Sequence, residues 1–225
     1  MEHISDDIRV LHHAAIRLVM KGTNQKNYVI YCDPFHLHET PADADLILVT
    51  HAHYDHYSVE DIAKVRKKDT EAVYPASMQG ETADSGIEDA AEHFLHWNEC
   101  FDFHGIRISA IPAYNPNKRF HPATQQWIGY LLDDGTRRIY IAGDTDITPE
   151  AEAVHCDVAL LPIGGTYTMD AHEAAMLTGR IRPEVVIPTH YGSVAGVKSD
   201  EEVFRADVAK TVAEVHVEIR MEQYE

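Results

Sequence analysis

A cluster of three histidines and one aspartate, placed directly after a short apolar run, constrains this chain more than any other stretch. Residues 45–49 are mostly leucine, isoleucine and valine, which predicts a buried β-strand. His51, His53, Asp55 and His56 follow that run. Imidazole and carboxylate groups bind zinc, manganese and iron. The stretch therefore predicts a strand that delivers metal ligands to the edge of a sheet.

The spacing inside this cluster indicates two metal positions. His51 and His53 are two residues apart, so their side chains point the same way in an extended backbone. Asp55 and His56 are adjacent and cannot share that direction, so a turn there would aim them at a second point. The alternative is a surface cluster of histidines without a ligand role.

Composition favours one domain over residues 1–225. Of the 225 residues, 44% are hydrophobic, which is enough for a sizeable core. No segment approaches the roughly 20 apolar residues that cross a bilayer, so we expect no membrane contact. The polar, acidic N-terminus is unlike a secretory signal. Three scattered cysteines, Cys32, Cys100 and Cys156, favour a reducing cytoplasm over a disulfide framework.

The charge of the chain disfavours a nucleic-acid partner. Nineteen basic and 37 acidic residues give a net charge of −18, which repels phosphate backbones. The expected partner is therefore a small-molecule substrate, and the sequence leaves a homo-oligomer open. Because the chain has 16 histidines, no single histidine is evidence of a site.

Two further predicted strands end in metal-capable side chains. Residues 137–142 lead to Asp144, and residues 185–188 lead to His190. Strands alternate with predicted helices at residues 59–68, 75–83, 171–177 and 201–210. Ser58 is a plausible N-cap, and Asp170 with Glu173 forms a capping box. This alternation predicts a layered αβ sandwich of two similar units, with ligands meeting in the cleft between them.

Taken in order, these motifs resemble those of the metallo-β-lactamase superfamily. The matching motifs are His51-x-His53-x-Asp55-His56, Gly143-Asp144-Thr145 and Pro188-Thr189-His190-Tyr191-Gly192. The segment Leu161-Pro162-Ile163-Gly164-Gly165-Thr166-Tyr167-Thr168-Met169 resembles the ascorbate-6-phosphate lactonase-like branch. His13-Ala14-Ala15 and Cys32-Asp33-Pro34 are similar to two further signatures of that branch.

The resemblance implies an α/β fold, a four-layer αβ/βα sandwich, and one or two divalent metal ions. It places His51 and His53 on one metal and Asp55, His56 and His190 on the other, with Asp144 bridging. Zinc is the expected ion, and manganese and iron are the alternatives.

One position departs from the family pattern. The superfamily usually has a sixth ligand, a histidine, where this chain has Ala113-Tyr114-Asn115. Asn115 is the expected occupant of that place, and His121 is the alternative ligand. His13, Tyr167 and Tyr191 complete the set of candidate metal or pocket residues. Asp33 could orient a histidine, or it could simply form a turn before Pro34.

The resemblance predicts a metal-dependent hydrolase. A metal-bound hydroxide would attack a small ester, lactone or phosphodiester. The expected catalytic residues are Asp55 and His190. Asp55 would orient the nucleophile or accept its proton. A catalytically weak or degenerate metal-binding or sensor protein of the same fold is the alternative, and a nuclease is less favoured because the chain is acidic.

Overall fold

Two β-sheets form the framework of the computed structural model, which describes residues 4–224. The first sheet has six strands in chain order: β1 (Arg9–His12), β2 (Ala15–Lys21), β3 (Asn27–Cys32), β4 (Ala44–Leu48), β5 (Arg66–Pro75) and β6 (Glu92–Leu95). The second has seven: β7 (Cys100–Phe103), β8 (Ile106–Pro112), β9 (Ile128–Asp133), β10 (Arg138–Ile141), β11 (Val158–Pro162), β12 (Val185–Thr189) and β13 (His216–Val217). The α-helices are α1 (Val59–Val65), α2 (Pro149–Glu152), α3 (Ala171–Ile181) and α4 (Asp200–Thr211).

Both sheets combine antiparallel and parallel pairing in the same way. Strands β1 to β3 pair antiparallel, and β3 to β6 pair parallel. In the second sheet, β7 to β10 pair antiparallel and β10 to β13 pair parallel. This likeness agrees with the predicted pair of αβ halves, and their union in one domain over residues 1–225 remains our proposal.

The alternation of side chains along β4 explains how the helix layer and the two sheets pack together. Leu46 and Leu48 belong to the buried cluster that includes Tyr130 of the second sheet. Ile47 belongs to a separate cluster that contains Ile62 of α1. Since side chains alternate across a strand, one face of β4 meets the other sheet and the opposite face meets a helix. Helices α3 and α4 contribute to the core on the second sheet, so the predicted αβ/βα sandwich is confirmed.

The buried parallel strands position the candidate site. Every residue of β4, β11 and β12 is buried, as expected for strands covered on both faces. The sequence predicted these strands from their apolar runs, and the structure confirms them to within one or two residues at each end. The carboxyl ends of β4, β10 and β12 lead directly to the clustered histidines and aspartates.

Two helix predictions need correction. No α-helix spans residues 75–83, because only two short 3-10 turns form, Ala76–Met78 and Ala83–Ser85, and Gly80 between them has a φ of +90°. A residue in that conformation cannot continue a right-handed helix. Helix α1 is also shorter than the predicted 59–68, since Arg66 is already extended and begins β5. By contrast, the capping box of Asp170 and Glu173 is confirmed, and α3 continues to Ile181.

No helix within residues 4–224 combines the length and the apolar character that a membrane crossing requires. The three cysteines are free, with Cys32 buried and Cys100 exposed.

Candidate metal centre

Five separate segments bring histidines and aspartates to one point. His51 to His56 follow β4, Asp144 follows β10, and His190 follows β12. His121 comes from the loop between β8 and β9, and His13 from the turn between β1 and β2. The structure thus brings together all six residues that the sequence nominated as metal ligands, together with His13 and His121.

One group consists of His51, His53 and His121, whose ligand atoms lie within 4.8 Å of one another. His51 Nε2 is 3.1 Å from His53 Nδ1, and His121 Nε2 is 3.3 Å from the same atom. His51 and His121 are buried, whereas His53 is exposed. This group is therefore open to solvent on the side of His53.

A second group consists of His13, Asp55, His56 and His190, all of them buried. Asp55 Oδ2 lies 3.4 Å from His13 Nε2, 3.6 Å from His56 Nε2 and 3.7 Å from His190 Nε2. One carboxylate oxygen therefore faces three ring nitrogens.

Asp144 lies between the two groups. Its Oδ2 is 3.1 Å from His190 Nε2 and 3.2 Å from His121 Nε2, and its Oδ1 is 3.3 Å from His56 Nε2. The carboxylate therefore contacts one histidine of the first group and two of the second, which is the position that a bridging ligand needs.

Several atoms of this cluster are buried without a hydrogen-bond partner. They are the Nε2 atoms of His13, His56 and His190 and the Oδ1 atom of Asp144. Buried polar atoms are normally hydrogen-bonded, because leaving one unpaired costs about 1–3 kcal/mol. Nitrogen and oxygen lone pairs that converge in this way fit a divalent cation. The donor set of this site is therefore suited to metal.

Asp33 and Thr50 support the cluster from behind. Asp33 accepts hydrogen bonds from the Thr50 N–H (2.8 Å) and from Thr50 Oγ1 (2.7 Å). Its Oδ2 also lies 2.7 Å from His56 Nδ1. Such a contact fixes the tautomer and the orientation of the ring, so that Nε2 is left to face Asp144. The sequence suggested this role for Asp33 but gave no signal for Thr50 beyond its place beside His51.

Three of the histidines have an unusual backbone conformation. His13, His121 and His190 have φ values of +52°, +52° and +56°. A left-handed conformation is uncommon outside glycine, and such strain concentrates at functional sites. The His190 N–H donates to the His13 carbonyl at 2.9 Å, which joins the ends of two strands from different sheets.

The protonation of the cluster follows from burial and from its neighbours. Burial, and then the neighbouring His190, lower the pKa of His13 to about 3. Burial, followed by the charge of His56, also holds the pKa of His51 well below its usual value. For Asp55, burial alone would raise the pKa, but His13 and His56 together lower it to about 2. At neutral pH His13 and His51 are therefore neutral and Asp55 is charged, the forms that bind metals. His56 differs: burial would lower its pKa, but the carboxylates of Asp144 and Asp33 raise it well above its usual value.

Asn115 contacts His121 on the side away from the cluster. Its amide nitrogen donates to the Tyr167 carbonyl at 2.6 Å and lies 3.3 Å from His121 Nδ1. The Asn115 N–H also donates to the His121 carbonyl at 2.9 Å. His121 directs its other nitrogen, Nε2, towards His53 and Asp144. Of the two residues proposed for the third histidine place, His121 is the one that joins His51 and His53.

The candidate pocket residues divide into two sets. Tyr167 lines a cavity beside the cluster, whereas the hydroxyl of Tyr191 donates to Glu201 at 2.8 Å and is not part of that lining. Tyr54 and Phe120 also line this cavity and were missed at the sequence level. A sequence signal existed, since each is an aromatic residue directly beside a candidate histidine.

Comparison with known proteins agrees with this geometry. The family model described as Beta-lactamase superfamily domain matches residues 22–191. A UPF0173 metal-dependent hydrolase of Methanopyrus kandleri is 30% identical, with 93% of this chain and 94% of the relative covered. Another, from Thermoplasma acidophilum, is 36% identical over 72% of each chain. The structure of Igni18, a metallo hydrolase of Ignicoccus hospitalis, has a similar fold, with a TM-score of 0.76, 23% identity and coverage of 95% and 94%.

The fold and the His/Asp cluster define a metal-dependent hydrolase with a metallo-β-lactamase fold. The chain belongs to the beta-lactamase superfamily and, within it, to the UPF0173 metal-dependent hydrolases.

Proposed function

We propose that this hydrolase cleaves a small ester, lactone or phosphodiester at a site for two divalent cations. One observation carries the proposal: buried ring nitrogens and a carboxylate oxygen from both sheets converge without hydrogen-bond partners. A surface cluster of histidines would be hydrated and would not require this burial.

The two groups divide the ligands between the two cations. His51, His53 and His121 would hold the first, and Asp55, His56 and His190 the second, with Asp144 bridging and His13 beside Asp55. We propose zinc, with manganese and iron as alternatives that the same donors accept. A bound divalent cation would lower the pKa of water to about 7 and polarise the oxygen of the substrate.

The protein's own groups would position the reactants. Asp55 is charged at neutral pH because its pKa is about 2. Burial would raise this pKa, but His13 and His56 lower it. We propose that this carboxylate orients the attacking water and accepts its proton, and that His190 acts beside it. Asp33 would keep the His56 ring in place throughout.

The alternative of a degenerate or sensor protein depended on Asn115. Because His121 provides a ring nitrogen at the position where Asn115 cannot, that alternative loses its sequence support. The acidic chain also continues to disfavour a nuclease.

Finer assignments belong to the same proposal. We propose the lactonase-like branch from the resemblance of residues 161–169 alone. Within that segment residue 164 must be glycine, because a Cβ atom there would lie 2.3 Å from the His190 carbonyl. From the free cysteines we propose a cytoplasmic location, and a homo-oligomer remains open.

The proposal is tested by elemental analysis together with hydrolysis assays on a panel of esters, lactones and phosphodiesters. His53→Ala should lose bound metal and most of the activity, because His53 faces both other histidines of its group. His172→Ala is the matched control, since His172 is an exposed histidine on α3. Equal metal and equal activity in all three proteins would count against the proposed function.

A further inference from the structure

A cavity of about 280 Å³ lies directly beside the metal-binding cluster. Four of its lining residues belong to that cluster: His53, Asp55, His121 and Asp144. The other four form what we call the apolar wall: Tyr54, Phe120, Tyr167 and Val194. A substrate whose reacting bond meets the cluster must therefore place an adjacent group against this wall.

The apolar wall contains two unusually exposed rings. Tyr54 is 66% exposed and Phe120 is 43% exposed, and both belong to the few large hydrophobic side chains that residues 4–224 leave exposed. Large aromatic rings at a cavity mouth commonly bind a ligand, since their exposure has a free-energy cost that a ligand removes.

Ring contacts hold this wall in place. Phe120 packs edge-to-face on Tyr167, with centroids 4.7 Å apart and an interplanar angle of 85°. Tyr54 makes a similar contact with Phe35 at 5.9 Å and 77°. The wall is therefore a preformed apolar surface.

No lysine or arginine lines the cavity within the described residues. Lys118, close by in the sequence, is held by Asp146 and by the Thr168 carbonyl. Sites that recognise a substrate phosphate or carboxylate normally provide an arginine, a lysine or a set of backbone N–H groups. The net charge of −18 further disfavours the approach of an anionic group.

From this wall we infer that the substrate is an ester or lactone whose group beside the scissile bond is short, uncharged and apolar. The inference rests on the proposed function and narrows it. A phosphorylated lactone fits poorly, because its phosphate would lose water against aromatic rings without gaining a cationic partner. The volume of about 280 Å³ lies just below the range of typical small-molecule sites and fits a group of a few carbons.

Three hydroxamates with the same metal-chelating head test whether the apolar wall prefers an apolar group to a charged one. The test measures binding alone. Acetohydroxamate has almost no tail, hexanohydroxamate has an apolar tail, and the monohydroxamate of succinic acid has a charged tail. Affinities for the zinc-loaded protein are measured by isothermal titration calorimetry. Hexanohydroxamate should bind at least about tenfold more tightly than the other two, since each fully buried methylene contributes about fourfold.

Phe120→Ala tests the wall itself. This variant should reduce the preference for hexanohydroxamate over acetohydroxamate to below about threefold, because the tail loses its aromatic contact. Met176→Ala is the matched control, since Met176 is similarly exposed, at 48%, and lies on α3. Tyr54→Ala, at the other exposed ring, provides a second independent variant.

The outcomes separate this inference from the proposed function. The inference is overturned if all three hydroxamates bind equally well or if the charged tail binds more tightly. It is also overturned if Phe120→Ala and Tyr54→Ala keep the native preference for hexanohydroxamate over acetohydroxamate. None of these results would count against the metal site. Failure of every hydroxamate to bind the metal-loaded protein would overturn the proposed function and this inference together.

Discussion

Four buried histidines of the centre have one ring nitrogen held by the fold and the other directed into the cluster. His190 differs, because its Nδ1 atom is buried without a hydrogen-bond partner. Asp33 lies 2.7 Å from His56 Nδ1, and Ser193 Oγ lies 3.0 Å from His13 Nδ1. Thr50 Oγ1 lies 3.0 Å from His51 Nδ1, and the Tyr167 carbonyl lies 3.1 Å from His121 Nδ1. Such contacts orient rings before any ligand binds, and they account for the single direction in which the donors face.

Asp33→Asn should weaken metal binding by about 10- to 100-fold, the usual effect of removing the partner of a ligating histidine. The amide would offer an N–H group to His56 Nδ1 and would favour the wrong tautomer. Affinity is measured by zinc competition with a chromophoric chelator. Asp43→Asn, at a partly buried ion pair with Arg17, serves as the control. An affinity equal to that of the native protein would show that Asp33 does not position His56.

His121→Ala should lower the bound zinc by about one ion per chain, since it removes one of the three nitrogens of the first group. Asn115→Ala should have a smaller effect, because Asn115 contacts only the far side of the His121 ring. Both are measured by elemental analysis after gel filtration. Full zinc content in His121→Ala would remove this histidine from the ligand set.

The sequence predicted six residues of the centre from the strands that they follow, and it named His121 only as the alternative to Asn115. These six residues follow buried strands, so their convergence at one edge could be expected. They are His51, His53, Asp55, His56, Asp144 and His190. That they bind metal stays a prediction. His121 depends on a loop whose path is set by a left-handed backbone and by the contact of Asn115 with Tyr167. That contact joins residues 52 positions apart, which local pattern does not encode.

Among the elements, strands were easier to predict than short helices. Buried strands have continuous apolar runs, whereas residues 75–83 have apolar spacing that Gly80 interrupts. Helix α1 shows that a short helix also depends on contacts with residues distant in the sequence. Asp61 in its first turn accepts hydrogen bonds from the N–H groups of His36 and Leu37 at 2.9 and 3.0 Å. The helix is thereby joined to the segment after β3.

Asp61→Asn should lower the free energy of unfolding at pH 7 by about 1–3 kcal/mol, since the carboxylate is 5% exposed and has several donors. Burial would raise its pKa, but hydrogen bonds from Lys64 and Ser58 lower it below the ordinary value of 3.8. Its contribution is therefore fully present above pH 3.8 and is lost as the pH falls through the lower, folded-state pKa.

Urea unfolding over a range of pH measures this difference. The gap between native and Asp61→Asn proteins should narrow as the pH falls below 3.8. Glu60→Gln, at an 83% exposed residue of the same helix, should change stability by less than about 0.5 kcal/mol. A gap that is absent at pH 7 or independent of pH would contradict this account of α1.

At the scale of the whole molecule, the site and the core join the same two sheets. The Tyr130 hydroxyl of β9 donates to the Val49 carbonyl at 2.6 Å and is also 3.0 Å from the Val73 carbonyl, both in the first half of the chain. The first half contributes His13 and residues 51–56 to the centre, and the second half contributes His121, Asp144 and His190. A cation bound here would therefore connect both halves.

Removal of metal should for that reason destabilise the entire fold. At a free metal concentration about 100 times Kd, binding adds about 2.7 kcal/mol to the free energy of unfolding. A chelator should therefore lower Tm by about 5–10 °C. Differential scanning calorimetry measures the shift. The double variant His53→Ala/His190→Ala, which removes one ring nitrogen from each group, should respond to the chelator much less than the native protein does. A native Tm that is insensitive to chelation would argue against a link between the halves.

The most direct test is anomalous X-ray scattering from crystals of the zinc-loaded protein. Two peaks are predicted, one among His51, His53 and His121 and the other among Asp55, His56 and His190, with Asp144 between them. The absence of any peak at these side chains, with zinc bound elsewhere or not at all, would contradict the account.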